Sequence, residues 1–358
     1  MLLVTSNFPP EIGGPAKFTS DFANWLTEKE VPCCVIATAP TSSKVSKQDS
    51  QIILVGRNSS IFIRVLRTIL CVKRMRSNRA VLVSGLFYEA LFCKIIFRLR
   101  YIAKVPSDVV WDRARNNRAT SLDVDSFQGN ESGTYKLQRY LFTRSLKSAQ
   151  RVIVPSNHLA QLARNWGIPE KRITVIRNSE RISPKIESAE KAYDLVSVGR
   201  LIPLKGNEEI IRAVATLKLS LLIIGDGQEM NALKTLAREL RANVTFLGSV
   251  SHKNVLKYLR LSRIFVINSS HEGSPNSLIE AMALGLPVIV RANSGTKELI
   301  TNFENGLLLN ASDSITDSIA YLVRDPLLQS KLGQAAYVFA ATYLNRENNF
   351  QKIYELLD

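Results

Sequence analysis

Short apolar runs alternate along this chain with longer segments whose apolar positions recur at helical spacing. Residues 1–5, 35–37, 52–55, 80–84, 101–105, 151–155 and 173–176 read as strands. Their near-continuous apolar character is that of strands buried on both faces. Between them, the segment from Ala16 carries Phe18, Phe22 and Trp25 or Leu26 at helical spacing, and 61–76, a stretch ending at Arg100, 135–148 and 156–166 also read as helices. A second series repeats the alternation, with strands over 194–198, 221–224, 244–248, 264–268, 287–290 and 306–309. Its helices are expected over 207–218 and 254–261, after Ser274, near Thr296, beyond Ser314, and last over 345–357. Strand–helix alternation of this kind predicts parallel βαβ units and the α/β class. Residues 113–133 are polar and read as a mobile loop. Residues 177–193 are charged, contain Pro184 and lack a hydrophobic period, as a linker between domains does.

The loops that leave the strands carry the candidate chemistry. Ser6 to Pro15 is rich in breakers, and Gly13-Gly14 before a helix start lets backbone approach a phosphate closely, though paired glycines also simply make turns. Asp108 is placed near the carboxyl end of a strand, where open α/β sheets bind ligands. Asp123-Val124-Asp125 has the spacing to hold a divalent cation, but no apolar strand frames it, and two acids in a polar loop are more simply solvated. Gly225-Asp226-Gly227 turns a strand into a helix, yet Met230 stands where a dinucleotide fingerprint needs its third glycine.

The most informative stretch is 270–287. It follows the run Ile264-Phe265-Val266-Ile267-Asn268 and places Glu272 on a loop. Ser274, Pro275, Asn276 and Ser277 open a helix containing Glu280, which Gly285 and Pro287 end. Two carboxylates thus flank a helix N-terminus, which favours anions. Such a site suits a ligand bearing both phosphates and hydroxyls. Ser277-x-x-Glu280 also fits a capping box, in which Glu280 only satisfies backbone donors. Gly199-Arg200 and Lys205-Gly206 add two cations on the loop after another strand.

Composition narrows the classes. With 358 residues and 46% hydrophobic content, the chain is globular and long enough for two domains. The most apolar region, 80–103, is broken by Glu89, Lys94, Arg98 and Arg100, too many charges for a spanning helix. No secretory signal is expected, since the first residues run directly into a strand. Cys33, Cys34, Cys71 and Cys93 lack metal-ligand spacing and read as reduced thiols of a cytosolic protein. His158, His252 and His271 are too few for a histidine-based metal site, so no metal is assigned. The net charge of +16 is uneven: residues 1–180 hold 27 Lys and Arg against 13 Asp and Glu. Arg57, Arg64, Arg67, Lys73, Arg74, Arg76 and Arg79 are interleaved with Ile61, Phe62, Ile63, Val65, Leu66, Ile69 and Leu70. A basic amphipathic segment of this type suits an anionic membrane surface; a solvated helix face is the alternative. Nucleic acid is disfavoured, because aromatics are only 8% and no basic and aromatic residues interleave on a binding face.

Taken together, these residues resemble the glycosyltransferase family 4 (group 1) enzymes, retaining transferases of the GT-B fold. The resemblance rests on the Glu-x7-Glu motif over 271–288, on Gly199-Arg200-Leu201 with Lys205-Gly206, on Ile224 to Gly227, and on Glu304 to Leu308. In the first half it rests on Phe8 to Gly14 and Val152 to Ser156. It implies two Rossmann-like parallel-sheet domains facing across a cleft. Residues 1–180 would bind the acceptor and 190–340 the nucleotide sugar, and a helix over 341–358 would return to the first domain. It implies that Arg200 and Lys205 bind the diphosphate, that Glu280 holds the ribose hydroxyls, and that Glu272 faces the donor sugar. Gly13 and Gly14 would approach the diphosphate. Gly199, Gly225, Ser274, Asn276, Ser277 and Leu278 would line the donor site, with Asp108 on the acceptor side.

The activity so implied is retaining transfer of a sugar from a UDP- or GDP-linked donor to a glycan or lipid-linked acceptor in polysaccharide biosynthesis. It would need no cofactor or metal, and would take place in the cytoplasm or on the inner face of the membrane. Two departures bear on the acceptor and the hinge: Pro106-Ser107-Asp108 replaces a Gly-Asp or His-containing motif, and Arg177-Asn178-Ser179 replaces Pro-Asn-Gly. A catalytically weak relative acting as a binding or scaffold protein is the competing reading.

Overall fold

The protein is described from a computed structural model, over residues 1–9, 11, 13–40, 43–47, 50–56, 61–75, 81–182 and 190–357, with backbone only at 43–47, 50 and 61. The chain divides into two compact units, Met1–Ile176 with Phe350–Asp358, and Arg177–Asn349. The first boundary therefore falls just before 177 rather than at 180. Residues 341–349 belong to the second unit, so only the later part of the last helix joins the first. Pro10, Ile12, Arg57, Arg76, Arg79, Ala80 and Pro184, all invoked above, lie outside the described residues.

The first unit contains strands β1 (Leu2–Thr5), β2 (Cys33–Ala39), β3 (Ser43–Lys47), β4 (Ser50–Gly56), β5 (Val81–Ser84), β6 (Tyr101–Lys104), β7 (Arg151–Val154) and β8 (Ile173–Val175). Its helices are α1 (Gly14–Glu28), α2 (Ile61–Met75), α3 (Phe87–Phe97), α4 (Val109–Asn116), α5 (Thr134–Ser148) and α6 (Asn157–Asn165). The sheet runs β3-β4-β2-β1-β5-β6-β7-β8, parallel throughout except that β3 pairs antiparallel with β4. Side-chain alternation sends Leu2, Val4, Val81 and Val83 to one face, with α2 to α6. It sends Leu3, Leu82, Ile102 and Ile153 to the other, with α1. Both faces are covered, which is why the strands read as continuous apolar runs.

Strand β3 has no counterpart in the apolar pattern. Its sequence, Ser-Lys-Val-Ser-Lys, is that of an edge strand protected by lysines. The expected polar loop over 113–133 begins instead inside α4. Val124 and Phe127 further along it are buried in the core, so two apolar anchors hold a segment whose average composition is polar.

The second unit contains β9 (Tyr193–Val198), β10 (Ser220–Ile224), β11 (Asn243–Phe246), β12 (Ser262–Ile267), β13 (Val288–Arg291) and β14 (Leu307–Leu309). Helices α7 (Asn207–Leu217), α8 (Met230–Glu239), α9 (His252–Arg260), α10 (Asn276–Ala283), α11 (Ile315–Arg324) and α12 (Pro326–Tyr343) cover it. Every pairing is parallel, in the order β11-β10-β9-β12-β13-β14. The helix expected near Thr296 is a turn instead. There the Asn293 side chain accepts from the N–H of Gly295 and Thr296 while Thr296 Oγ1 accepts from the Asn293 N–H, local bonds that compete with a helix.

Helix α13 (Arg346–Leu357) starts in the second unit, and from Phe350 onward it belongs to the first. Phe350, Ile353 and Leu357 are buried against Phe22, Trp25 and Leu26 of α1. The Phe350 ring meets Phe18, Phe22 and Trp25 edge-on at 5.8, 5.2 and 6.1 Å between centroids. Phe350→Ala is expected to lower the unfolding free energy of the first unit by about 3–5 kcal/mol, measured by urea denaturation.

Alternation along β6 puts Lys104 on the same buried face as Ile102, with its ammonium 4.2 Å from the Phe18 ring centroid. Burial lowers its pKa from 10.5 to about 8. Below that value the ammonium is charged in both states, and the folded state carries the full desolvation cost. As pH rises toward 10.5 the folded protein has released a proton that the unfolded chain retains, so folding gains stability. The stability of the wild type relative to Lys104→Met should therefore rise by about 1–3 kcal/mol on going from pH 8 to 10.5, read from paired urea titrations.

Candidate active site

Strand β9 lies at the centre of its sheet, with β10 and then β11 on one side and β12 to β14 on the other. The winding reverses between β9 and β12, which opens a crevice at the carboxyl ends of these strands. The turns after β9 and β10 stack backbone on backbone. Gly225 has φ +138°, and a Cβ there would collide with the Gly199 carbonyl oxygen. The Gly199 N–H donates to Ile224 O at 3.0 Å and the Leu201 N–H to Asp226 O at 2.9 Å. Gly199 and Gly225 therefore set the floor of the crevice.

Arg200 follows directly and is exposed. Lys205 ends a short 3-10 turn, and its ammonium forms an ion pair with Glu272 from the loop after β12, both side chains largely buried. The Ser270 N–H donates to Leu204 O at 2.9 Å, so the two loops are joined through backbone as well. Beneath them, Asn268 Nδ2 donates to Gly206 O at 3.2 Å and Glu209 Oε2 at 2.8 Å. Its Oδ1 accepts from Arg291 Nε at 2.9 Å. Sequence reasoning separates Lys205, as a phosphate cation, from Glu272, as a hydroxyl acceptor; the structure couples them. Each holds the other in place and offsets the cost of its burial.

Helix α10 begins at Asn276 with Pro275 as its N-cap, and no side chain caps it. Its first-turn N–H groups, from Asn276, Ser277 and Leu278, are those a helix leaves without intrahelical partners, and Ser274 precedes them on the loop. Glu280 is the fifth residue of this helix, beyond reach of a capping box. The residue is 5% exposed and its carboxylate faces His252, with Oε1 at 3.2 Å from Nε2. Glu180 Oε2 lies 3.3 Å from the same nitrogen. Glu180 is fixed by backbone bonds on both sides, from its N–H to Leu344 O and from the Arg346 N–H to its own carbonyl, each 3.0 Å.

The ligand atoms of Glu180, His252 and Glu280 lie within 4.8 Å of one another, close enough to share a cation. The spacings are those of hydrogen bonds, with one imidazole nitrogen facing two carboxylates. Sequence reasoning missed this grouping. Glu180 falls where composition marks a linker, His252 opens an ordinary amphipathic helix, and nothing in their spacing links them to Glu280.

The remaining candidates belong to the first unit. Gly13 and Gly14 lie at the start of α1, where no side chain caps the helix. Asp108 is not placed to meet an acceptor. Its Oδ1 caps α4 by accepting from the N–H of Val110 and Trp111 at 3.1 and 3.2 Å. Its Oδ2 accepts from Gln128 Nε2 at 2.8 Å and Arg139 Nη2 at 2.6 Å, and the side chain has no exposed surface. A strand end followed by Asp-Val-Val is equally an N-cap signal, and here the cap is what forms. Asp123 is likewise held by its own turn, accepting from the N–H of Asp125 and Ser126, while Asp125 pairs with His158 at 2.8 Å.

Residues 178–339 match the model of the glycosyl transferases group 1, and residues 120–179 that of glycosyltransferase family 4. A sucrose-phosphate synthase from Thermosynechococcus elongatus superposes with a TM-score of 0.79 at 17% identity, over 99% of this chain and 98% of that one. Anabaena HepE in complex with UDP-glucose superposes with a TM-score of 0.76 at 16% identity, over 100% and 99%. A GDP-mannose-dependent monoacylated alpha-(1-6)-phosphatidylinositol monomannoside mannosyltransferase of Corynebacterium glutamicum is 23% identical over 93% of this chain and 91% of its own. Against several other curated glycosyltransferases, the chain spans about half of their length. Fold and family models thus define an enzyme of the glycosyltransferase class with the GT-B fold. The chain belongs to family 4, group 1.

If Asp108 is structural, Asp108→Ala uncaps α4 and removes one of the two carboxylates that hold the buried Arg139, the other being Glu131, and should lower the unfolding free energy by about 1–3 kcal/mol. A residue that contacts the acceptor would instead raise the acceptor KM with the melting temperature unchanged.

Proposed function

We propose that this enzyme is a retaining transferase that moves a sugar from a UDP- or GDP-linked donor to a glycan or lipid-linked acceptor, in the cytoplasm at the inner face of the membrane. The observation that carries the reading is the meeting of an ion-paired Lys205 and Glu272, an exposed Arg200 and an uncapped helix N-terminus at one topological switch point. Support for a nucleotide-sugar donor comes from the Anabaena protein, whose structure holds UDP-glucose, and from the corynebacterial relative, which is GDP-mannose-dependent. That relative's phosphatidylinositol mannoside acceptor supports a lipid-linked acceptor here.

In the proposed reaction, the bond from the sugar anomeric carbon to the departing phosphate oxygen breaks. A bond from the same carbon to the acceptor oxygen forms on the same face, and the acceptor hydroxyl proton passes to the phosphate oxygen that leaves. Negative charge grows on the diphosphate, and Arg200, Lys205 and the N–H groups of Asn276, Ser277 and Leu278 are the groups to receive it. Lys205 enters this role already held by Glu272, so little reorganisation is needed. Glu272 then has a free oxygen for a sugar hydroxyl, and Glu280, steadied by His252, accepts from the ribose diol. Fixed cations at the diphosphate make a divalent metal unnecessary in this scheme.

A melting-temperature and hydrolysis screen against UDP-, GDP- and ADP-sugars tests the reading. One UDP- or GDP-sugar should raise the melting temperature, Glu280→Ala should abolish the rise, and Lys205→Ala should lower turnover by about 10²–10³-fold. Turnover should survive EDTA. A wild type that no nucleotide sugar stabilises, or a Glu280→Ala variant that responds equally, would mean the donor site is misassigned.

A further inference from the structure

The side chains that α2, α3 and α5 turn away from the sheet are not those of a solvated layer. All three helices pack on the same face of the first unit, with α3 in contact with both neighbours. Their inward residues, among them Val72, Cys93 and Phe142, fill the core. On the outward side, Phe62 is 82% exposed, Ile95 68%, Ile96 64% and Leu137 61%, and Leu66 and Leu70 are more than half exposed. Isolated exposed apolar residues need no explanation, but a set spread over three adjacent helices marks a binding surface.

The charges on these helices indicate what binds. Within the sequences of α2, α3 and α5 there are nine Lys and Arg and a single acidic residue, Glu89, which is buried. Arg67, Lys73, Arg74, Lys136 and Arg144 are exposed among or beside the apolar side chains. Two copies of this face would bring like charges together, which disfavours self-association. An apolar surface with a cationic surround, and with no exposed carboxylate among the described residues of these helices, matches a bilayer that carries anionic lipid. Phe62, Leu66 and the isoleucines would enter the acyl boundary, and the Lys and Arg would meet headgroup phosphates.

We propose that the outward face of α2, α3 and α5 is a docking surface for an anionic lipid bilayer, engaged by apolar insertion from three helices as well as by charge. This gives the membrane location proposed above a defined surface and depends on that reading only for biological context. Binding is therefore measured without donor or acceptor, so that failure of the surface and failure of the transferase assignment remain separate results.

The test is co-sedimentation of the full chain with phosphatidylcholine vesicles, with and without phosphatidylglycerol. The wild type should pellet with the anionic vesicles, remain in solution with the neutral ones, and be released by salt. The combined change Phe62→Ser, Leu66→Ser, Ile95→Ser and Ile96→Ser should weaken partitioning by tenfold or more, roughly. Arg67→Glu with Lys73→Glu and Arg74→Glu should abolish the preference for anionic lipid. All these positions are solvent-facing, and circular dichroism melting checks that both variants fold. A wild type that stays in solution with anionic vesicles, or a serine variant that binds as well as the wild type, overturns the proposal. So does a dimer, seen by light scattering, that the serine substitutions dissociate.

Discussion

The chemistry of the second unit depends on one constraint of its topology. A parallel sheet covered on both faces leaves polar groups only at its edges and ends, and the carboxyl ends are exposed where the winding reverses. Strand β9 supplies that point, with β10 and β12 on either side of it. The joints among the loops of the candidate site follow from it. The close stacking that requires glycine at 225, the bond from Ser270 to Leu204, and the ion pair of Lys205 with Glu272 all join turns that leave these three strands.

Much of this is legible in the amino-acid sequence. Strands buried on both faces announce themselves as apolar runs, and the Glu-x7-Glu stretch places a loop acid and a helix acid at one sheet edge. Elements escape a sequence reading where local signals misstate tertiary context. Strand β3 is polar because it is an edge, the Asn293–Thr296 turn takes the place of a helix through side-chain bonds, and Val124 and Phe127 hold down a segment that is polar on average.

The candidate site is less legible than the fold, for a physical reason. A motif names residue types, but not whether a carboxylate faces solvent, a cation or its own backbone. Asp108 and Glu280 both sit near the start of a helix and both could be read as caps or as ligands. The structure divides them. Asp108 has every oxygen occupied within the fold, while Glu280 is two residues too late to cap and turns to His252 and Glu180, which no spacing rule connects to it.

Helix α13 also has a consequence for the order of folding. The aromatic cluster of Phe18, Phe22 and Trp25 is completed by Phe350, a residue more than three hundred positions later in the chain. During vectorial synthesis the first unit emerges early but lacks part of one core face until the whole of the second has followed it. Its nascent form must present an unfilled apolar groove beside α1 for the time that translation of the second unit takes. Completion of the first unit thus waits on residues 350–357, against the usual N-to-C order of folding.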